Sequence, residues 1–154
     1  MIKRFRIRGV RFTFTIARTQ KVIGVNSQLA DGTHILMWDF DEVPLEDVRA
    51  ELKRVQTRYL LSDIYILRTK EPDNYIAYCF TALPWKRVVE IIAQTNLVDW
   101  NFFKFGVYRG HFTLRVTPKN GRTPRLVEVL GGFELANCEV ADLMSWVRYE
   151  TLRR

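Results

Sequence analysis

An α+β fold with a βαββαβ core is what this 154-residue sequence predicts, and three observations carry that prediction. Two segments place apolar residues at helical spacing, each opened by a proline: Leu45, Val48, Leu52, Val55 and Tyr59 after Pro44, and Trp85, Val88, Val89 and Ile92 after Pro84. Strand-like runs bounded by turn residues lie before, between and after these helices. With 47% apolar and 13% aromatic residues, the chain has the material for one substantial core. A single domain over residues 1–154 follows, its core at about 32–121, with no repeat, low-complexity segment or linker.

From Phe5 to Ile16 apolar residues alternate with basic ones and threonines, changing phase once near Gly9. The pattern fits an N-terminal strand pair or one bulged strand, ending near Gly24. Ala30-Asp31-Gly32 is a turn, and His34 to Asp41 is the next strand. In the first helix Glu46 and Asp47 occupy the first turn, where the helix dipole favours acids. Ile64 to Arg68 and Tyr75 to Phe80 form a hairpin about Glu71-Pro72-Asp73-Asn74, and the second helix ends before Asn96. Asp99 to Tyr108 is aromatic-rich and reads as either strand or loop. His111 to Thr117 alternates cleanly, with Phe112, Leu114 and Val116 on one side and His111, Thr113, Arg115 and Thr117 on the other. This order of elements is the split βαβ, or ferredoxin-like, arrangement. A strand near Leu126 to Leu130, a Gly131-Gly132 turn and a C-terminal helix carrying Val140, Leu143, Met144 and Val147 are expected to complete the chain.

Lys and Arg number 24 against 17 Asp and Glu, a formal charge of +7 that favours a polyanionic partner. Cys79 and Cys138 have no Cys or His at ligand spacing, so they read as reduced core thiols rather than as a zinc site or disulfide framework. Neither a signal-peptide pattern nor a run long enough to cross a bilayer is visible, and a cytoplasmic protein without a membrane partner is expected.

The chemistry centres on Asp39-Phe40-Asp41. Residues two apart in a strand share a face, so the two carboxylates project together while Trp38 and Phe40 turn away. Paired carboxylates repel, and a divalent cation resolves the repulsion; Mg2+ accepts one or two carboxylates and fills its remaining positions with water and phosphate oxygens. The bland alternative is a pair of solvated acids at a strand end. Position favours the functional reading, because Asp39-Phe40-Asp41 ends the first strand of the split βαβ unit, expected to lie centrally in its sheet, and an antiparallel neighbour carrying Arg115, with Lys119 just beyond, would set phosphate-binding cations beside the acids.

These residues resemble the catalytic domain of archaeo-eukaryotic-type primases and the related primase-polymerases of plasmids and viruses, whose RRM-like βαββαβ core carries an acidic hhhDhD/E strand, a Ser-x-His-type strand and a hydrophobic-Asp/Glu element. Ile35-Leu36-Met37-Trp38-Asp39-Phe40-Asp41 matches the first motif and Leu97-Val98-Asp99 the third. Arg109 to Lys119 looks like the Arg-rich strand of the small members. The resemblance spans about Gly32 to Gly121. It implies a template-directed nucleotidyl transferase using two Mg2+ or Mn2+ ions held by Asp39, Asp41 and Asp99, with Arg115 and Lys119 on phosphates. It also implies DNA and nucleoside triphosphates as substrates and a replicative helicase as a partner.

The second motif departs from the pattern: Ile76 stands where its histidine is expected. Thr69 is a candidate for the small hydroxyl residue, and His111 for a substitute imidazole on the neighbouring strand. Loss of the histidine keeps open a catalytically degenerate nucleic-acid-binding accessory protein of the same fold. An RRM-type single-strand binder using Tyr75, Tyr78 and Phe80 is a further alternative, although the RNP1 pattern is absent and core roles suit those rings as well. A rolling-circle initiator is excluded, since His34 and His111 are the only histidines and cannot form its His-hydrophobe-His motif. Lys3 to Arg11 reads either as a DNA-contacting arm or as a charged edge strand that resists aggregation.

Overall fold

A computed structural model of the protein describes residues 2–16, 18–143 and 146–152. The chain begins with a hairpin of β1 (Ile2–Ile7) and β2 (Val10–Thr15), followed by β3 (Thr19–Asn26). Arg8 and Gly9 form the two-residue hairpin loop, both at positive φ (46° and 82°), which matches the right-handed twist of the strands. β4 (His34–Phe40), α1 (Leu45–Tyr59), β5 (Ile64–Lys70), β6 (Asn74–Leu83) and α2 (Trp85–Ala93) come next, in the expected order. After α2 lie α3 (Trp100–Arg109), β7 (Thr113–Arg115), β8 (Arg125–Leu130), a 3-10 turn (Val140–Asp142) and β9 (Trp146–Leu152).

The chain is therefore α+β, with antiparallel sheets and three α-helices among the described residues, compatible with a small ferredoxin-like or RRM-like core. A four-stranded sheet runs β4-β6-β5-β8, and a second, three-stranded sheet runs β7-β3-β9. One face of the larger sheet carries Trp38, Phe40, Ile64, Ile66, Tyr75, Ala77 and Cys79, all fully buried. These residues share a core with Val48, Leu52 and Val55 of α1 and Val88, Ile91 and Ile92 of α2. The opposite face carries Met37, Asp39, Tyr65, Leu67, Ile76 and Tyr78, in the alternation that antiparallel pairing imposes.

Local chemistry sets the ends of the helices. Pro44 fixes the entry to α1, Glu46 and Asp47 lie in its first turn, and Leu60 closes it in the left-handed region at φ 52°. Trp38 is anchored in the core by its indole N–H, which donates to Thr95 Oγ1 at 3.1 Å. Gln56, fully buried near the end of α1, donates to the carbonyls of Ser62 and Leu130 at 3.0 Å each, tying the helix to the starts and ends of β5 and β8.

Four expectations require correction. The aromatic segment after Asp99 is a helix, α3, capped by the Asp99 side chain and ended by Gly110 at φ 78°. Phe102 and Phe103 turn towards Phe112, and a Cβ on Gly106 would lie 2.2 Å from the Phe112 ring, so only glycine permits this approach. The strand expected from His111 to Thr117 shortens to Thr113–Arg115 and pairs with β3 rather than with β4. β4 is accordingly an edge of the larger sheet and not a central strand. Finally, the C-terminal helix does not form. Val140 lies in the 3-10 turn, Leu143 follows it, and Val147 belongs to β9, paired with Gly24 of β3; Met144 falls outside the described residues. No helix among the described residues is long and apolar enough to cross a membrane.

Replacing Gln56 by Leu leaves two buried carbonyls without a donor, which costs about 1–3 kcal/mol. Urea denaturation of Gln56→Leu is expected to give a lower midpoint with an unchanged slope.

Candidate active site between the two sheets

Where β4 ends, the sheets part. β7 pairs with β3 and not with β4, and a cleft of about 720 Å3 opens that is lined from both sheets, by Asp39, Asp41, Thr69, Asn74, Ile76, Leu114, Arg115, Lys119, Arg122 and Tyr149. Asp39 comes from the last turn of the alternation in β4, and Asp41 lies just beyond the strand on the same side. The acids are therefore supplied by one sheet. The principal cation, Arg115, comes from the other, with Lys119 at the hairpin that follows, where Lys119 and Arg122 exchange backbone hydrogen bonds across Asn120-Gly121.

Asp39 is largely enclosed, with only part of its surface open to the cleft. Burial, then the neighbouring charges of Asp41 and Asp99, push its carboxyl up to about 7, against the opposing pull of Arg115 and Lys119. Asp41 is exposed and is oriented by Asn74, whose side-chain amide donates to its Oδ1. Asn74 itself is buried at the start of β6, two residues from Ile76 and on the same face, and Ile76 is the direct register partner of Asp39.

Arg115 is held by three backbone carbonyls. Its Nη1 donates to Thr117 O at 3.2 Å and Arg122 O at 3.1 Å, and its Nη2 to Thr69 O at 3.0 Å. No carboxylate lies within ion-pair distance of it among the described residues. Burial pulls its pKa down, while Tyr149, Asp39 and Tyr78 oppose that shift. A guanidinium fixed in this way is presented to the cleft at little further entropic cost. The Tyr78 hydroxyl, close enough for Arg115 to act on it, is buried with no hydrogen-bond partner among the described residues, and burial followed by the Asp39 charge raises its pKa.

The expected site residues divide. Asp39, Asp41, Thr69, Arg115 and Lys119 all line the cleft. Thr69 contributes its carbonyl to Arg115 and donates its hydroxyl to Asn74 O at 3.3 Å, so its side chain is occupied internally. Asp99 is close enough for its charge to act on Asp39, and its backbone N–H donates to Asp39 O at 2.8 Å, but its Oδ1 accepts from Phe102 N at 2.6 Å as the cap of α3. It is a positioning residue for β4 and α3 rather than part of the cleft lining. His111 lies outside the cleft, near His34, whose pKa its charge lowers after the larger effect of burial. Among the described residues no three His, Cys, Asp or Glu side chains come together as a metal-holding group. Asp39 and Asp41 fit a single Mg2+ or Mn2+ supplied with water and phosphate oxygens. The aromatics also separate: Tyr75 belongs to the helix-side core, while Phe80 meets Tyr65 edge-on at 5.9 Å on the other face.

Pattern reasoning missed Asn74 and Tyr149, and read Tyr78 only as a base-stacking or core ring. Asn74 had a usable signal, two residues before Ile76 in β6; Tyr149 becomes a lining residue only through the packing of the two sheets. A second groove of about 480 Å3, lined by Arg68, Lys70, Arg122 and Arg125, adjoins the cleft and shares Thr69, Lys70 and Arg122 with it. Searches against protein-family models, curated proteins and solved structures find no match.

Because the folded protein holds Asp39 protonated to higher pH than the unfolded chain does, Asp39 costs stability as pH rises from about 4 to about 7, and that cost persists above this window. In EDTA at pH 8, Asp39→Asn is therefore expected to melt higher than the wild type, on the order of 5 °C. At pH 4 the two should converge. Equal melting temperatures at pH 8 would show that Asp39 carries no such penalty.

Proposed function

We propose that the protein is a divalent-metal-dependent nucleotidyl transferase acting on a polynucleotide, a primase or DNA polymerase built on an RRM-like βαββαβ core. The observation that carries this reading is the facing of Asp39 and Asp41 by Arg115 and Lys119 across one cleft. Acids alone suit a cation and bases alone suit an anion. Both, set on opposite walls, suit a metal-bound triphosphate.

In this reading Asp39 and Asp41 hold Mg2+ or Mn2+, which when bound supplies Lewis-acid stabilisation of phosphoryl oxygens and lowers the pKa of a coordinated hydroxyl. Asn74 keeps the Asp41 carboxylate turned towards its partner. Arg115, immobilised by its three carbonyls, binds the triphosphate and stabilises the charge that accumulates on departing pyrophosphate as a strand 3′-hydroxyl attacks the α-phosphorus. Lys119 adds a second cation to the cleft lining. The adjoining groove with Arg68, Lys70, Arg122 and Arg125 suits the polynucleotide backbone entering the site.

One observation favours a second reading. Ile76, directly opposite Asp39, puts a branched apolar side chain where an imidazole would otherwise reach the triphosphate. A protein that binds nucleic acid and nucleotide at this cleft without turnover, as an accessory to replication, is consistent with that replacement.

Extension of a labelled primer on a DNA template with deoxynucleoside or ribonucleoside triphosphates, in Mg2+ or Mn2+, separates the two. The catalytic reading expects incorporation that falls below detection in Asp39→Ala and drops at least about 100-fold in kcat/KM for Arg115→Ala. Incorporation that survives Asp39→Ala would overturn the mechanism. No incorporation by the wild type, with retained strand binding, would establish the accessory reading.

A further inference from the structure

The charge of this protein is not spread over its surface. No Asp or Glu precedes Asp31, and the first 30 residues contain seven cations, equal to the whole net charge of +7. The remainder holds the other 17 Lys and Arg against 17 Asp and Glu and is neutral. Five of the seven cations, Lys3, Arg4, Arg6, Arg8 and Arg11, lie on the β1-β2 hairpin, with Arg18 and Lys21 just beyond it.

The hairpin is not an edge of either sheet. β1 and β2 pair only with one another, and no hydrogen bond or ion pair joins them to the rest of the protein among the described residues. Register sorts its side chains. Phe5 faces Phe12 and Ile7 faces Val10 on one side, while Arg6 faces Arg11 and Arg4 faces Thr13 on the other. An isolated hairpin is marginal in water, and here the apolar side supplies what support there is: Phe5 stacks on Phe12 at 5.3 Å and on Phe14 at 5.7 Å. The other side does the reverse. Like charges directly opposite one another are unfavourable, and neither Arg6 nor Arg11 has a carboxylate within ion-pair distance among the described residues.

We infer that the β1-β2 hairpin is a projecting arm whose basic side binds the phosphate backbone of a polynucleotide. A ladder of stacked rings keeps the two strands together so that Arg4, Arg6 and Arg11 share one side, with Arg8 in the loop at the tip, and the repulsion between Arg6 and Arg11 is relieved by phosphates. The rest of the chain, being neutral overall, contributes only its local cations at the cleft and groove. The arm therefore supplies the long-range attraction for the strand that the cleft acts on. This inference rests on the proposed function for its choice of polyanion, but not on turnover.

Fluorescence anisotropy with a labelled 20-nucleotide oligo-dT and a 20-base-pair DNA duplex, without metal or triphosphate, tests it across a series of salt concentrations. The variant Arg4→Gln/Arg6→Gln/Arg8→Gln/Arg11→Gln is expected to bind at least tenfold more weakly at 100 mM salt. Its plot of log affinity against log salt should be shallower by about 3, as loss of four phosphate contacts requires. Near-UV circular dichroism should match the wild type, since β1 and β2 pair only with one another among the described residues. Whichever probe shows the larger loss, single strand or duplex, identifies the form that the arm holds. The assay contains neither metal nor triphosphate and reads strand binding alone, so a failure of the catalytic reading leaves this result standing. An unchanged salt slope in the fourfold variant would overturn the inference. So would binding of the wild type to phosphatidylserine vesicles but to neither oligonucleotide, which would make a lipid surface the partner.

Discussion

A carboxylate withdrawn from water destabilises the folded state unless a cation or metal compensates, and at Asp39 the fold accepts that cost. The compensation within the chain is partial. Arg115 faces Asp39 without forming an ion pair; three of its five N–H groups donate to the carbonyls of Thr69, Thr117 and Arg122, which fix the guanidinium on its own wall. Acid and base are thus each fixed by their own sheet and kept apart by the cleft. Much of the architecture follows from that separation: β7 pairs with β3 instead of closing onto β4, β9 completes the second sheet, and Asp99 ties the end of β4 to the start of α3. Had β7 sealed the edge of β4, Arg115 and Asp39 could have met directly, and the space between them would be gone.

The elements around Asp39 were legible in the sequence because they depend on local patterns. The helical spacing after Pro44 and Pro84 and the alternation through β5 and β6 required no knowledge of distant partners. The C-terminal segment shows the limit of that approach. Val140, Leu143 and Val147 have helical spacing, yet Val147 is drawn into a strand by β3, more than a hundred residues away in the chain. α3 failed for a different reason, since its ten residues include Trp100, Phe102, Phe103, Phe105 and Tyr108, which favour strands. Its caps, Asp99 and Gly110, held the better signal.

The candidate site was legible to a similar extent and for a similar reason. Asp39 and Asp41 share a face by strand periodicity, and Arg115 lies on, and Lys119 follows, a strand whose polar side was readable. Which edge that strand joins is a non-local matter, and so is every role that depends on it. Tyr78 and Tyr149 become neighbours of Arg115 only because the second sheet stands over the first. His111 precedes β7 and stays near His34, away from Asp39, so the imidazole absent at Ile76 is not restored from that strand.

Acids on one wall, cations on the other and a space between them constitute the central claim, and binding of Mn2+ followed by electron paramagnetic resonance tests it most directly. The account predicts that the wild type binds Mn2+, that a non-hydrolysable deoxynucleoside triphosphate tightens this binding, and that Asp39→Asn/Asp41→Asn weakens it at least tenfold while Arg115→Ala removes the tightening by nucleotide. Mn2+ affinity that is the same in the wild type and in Asp39→Asn/Asp41→Asn would contradict it.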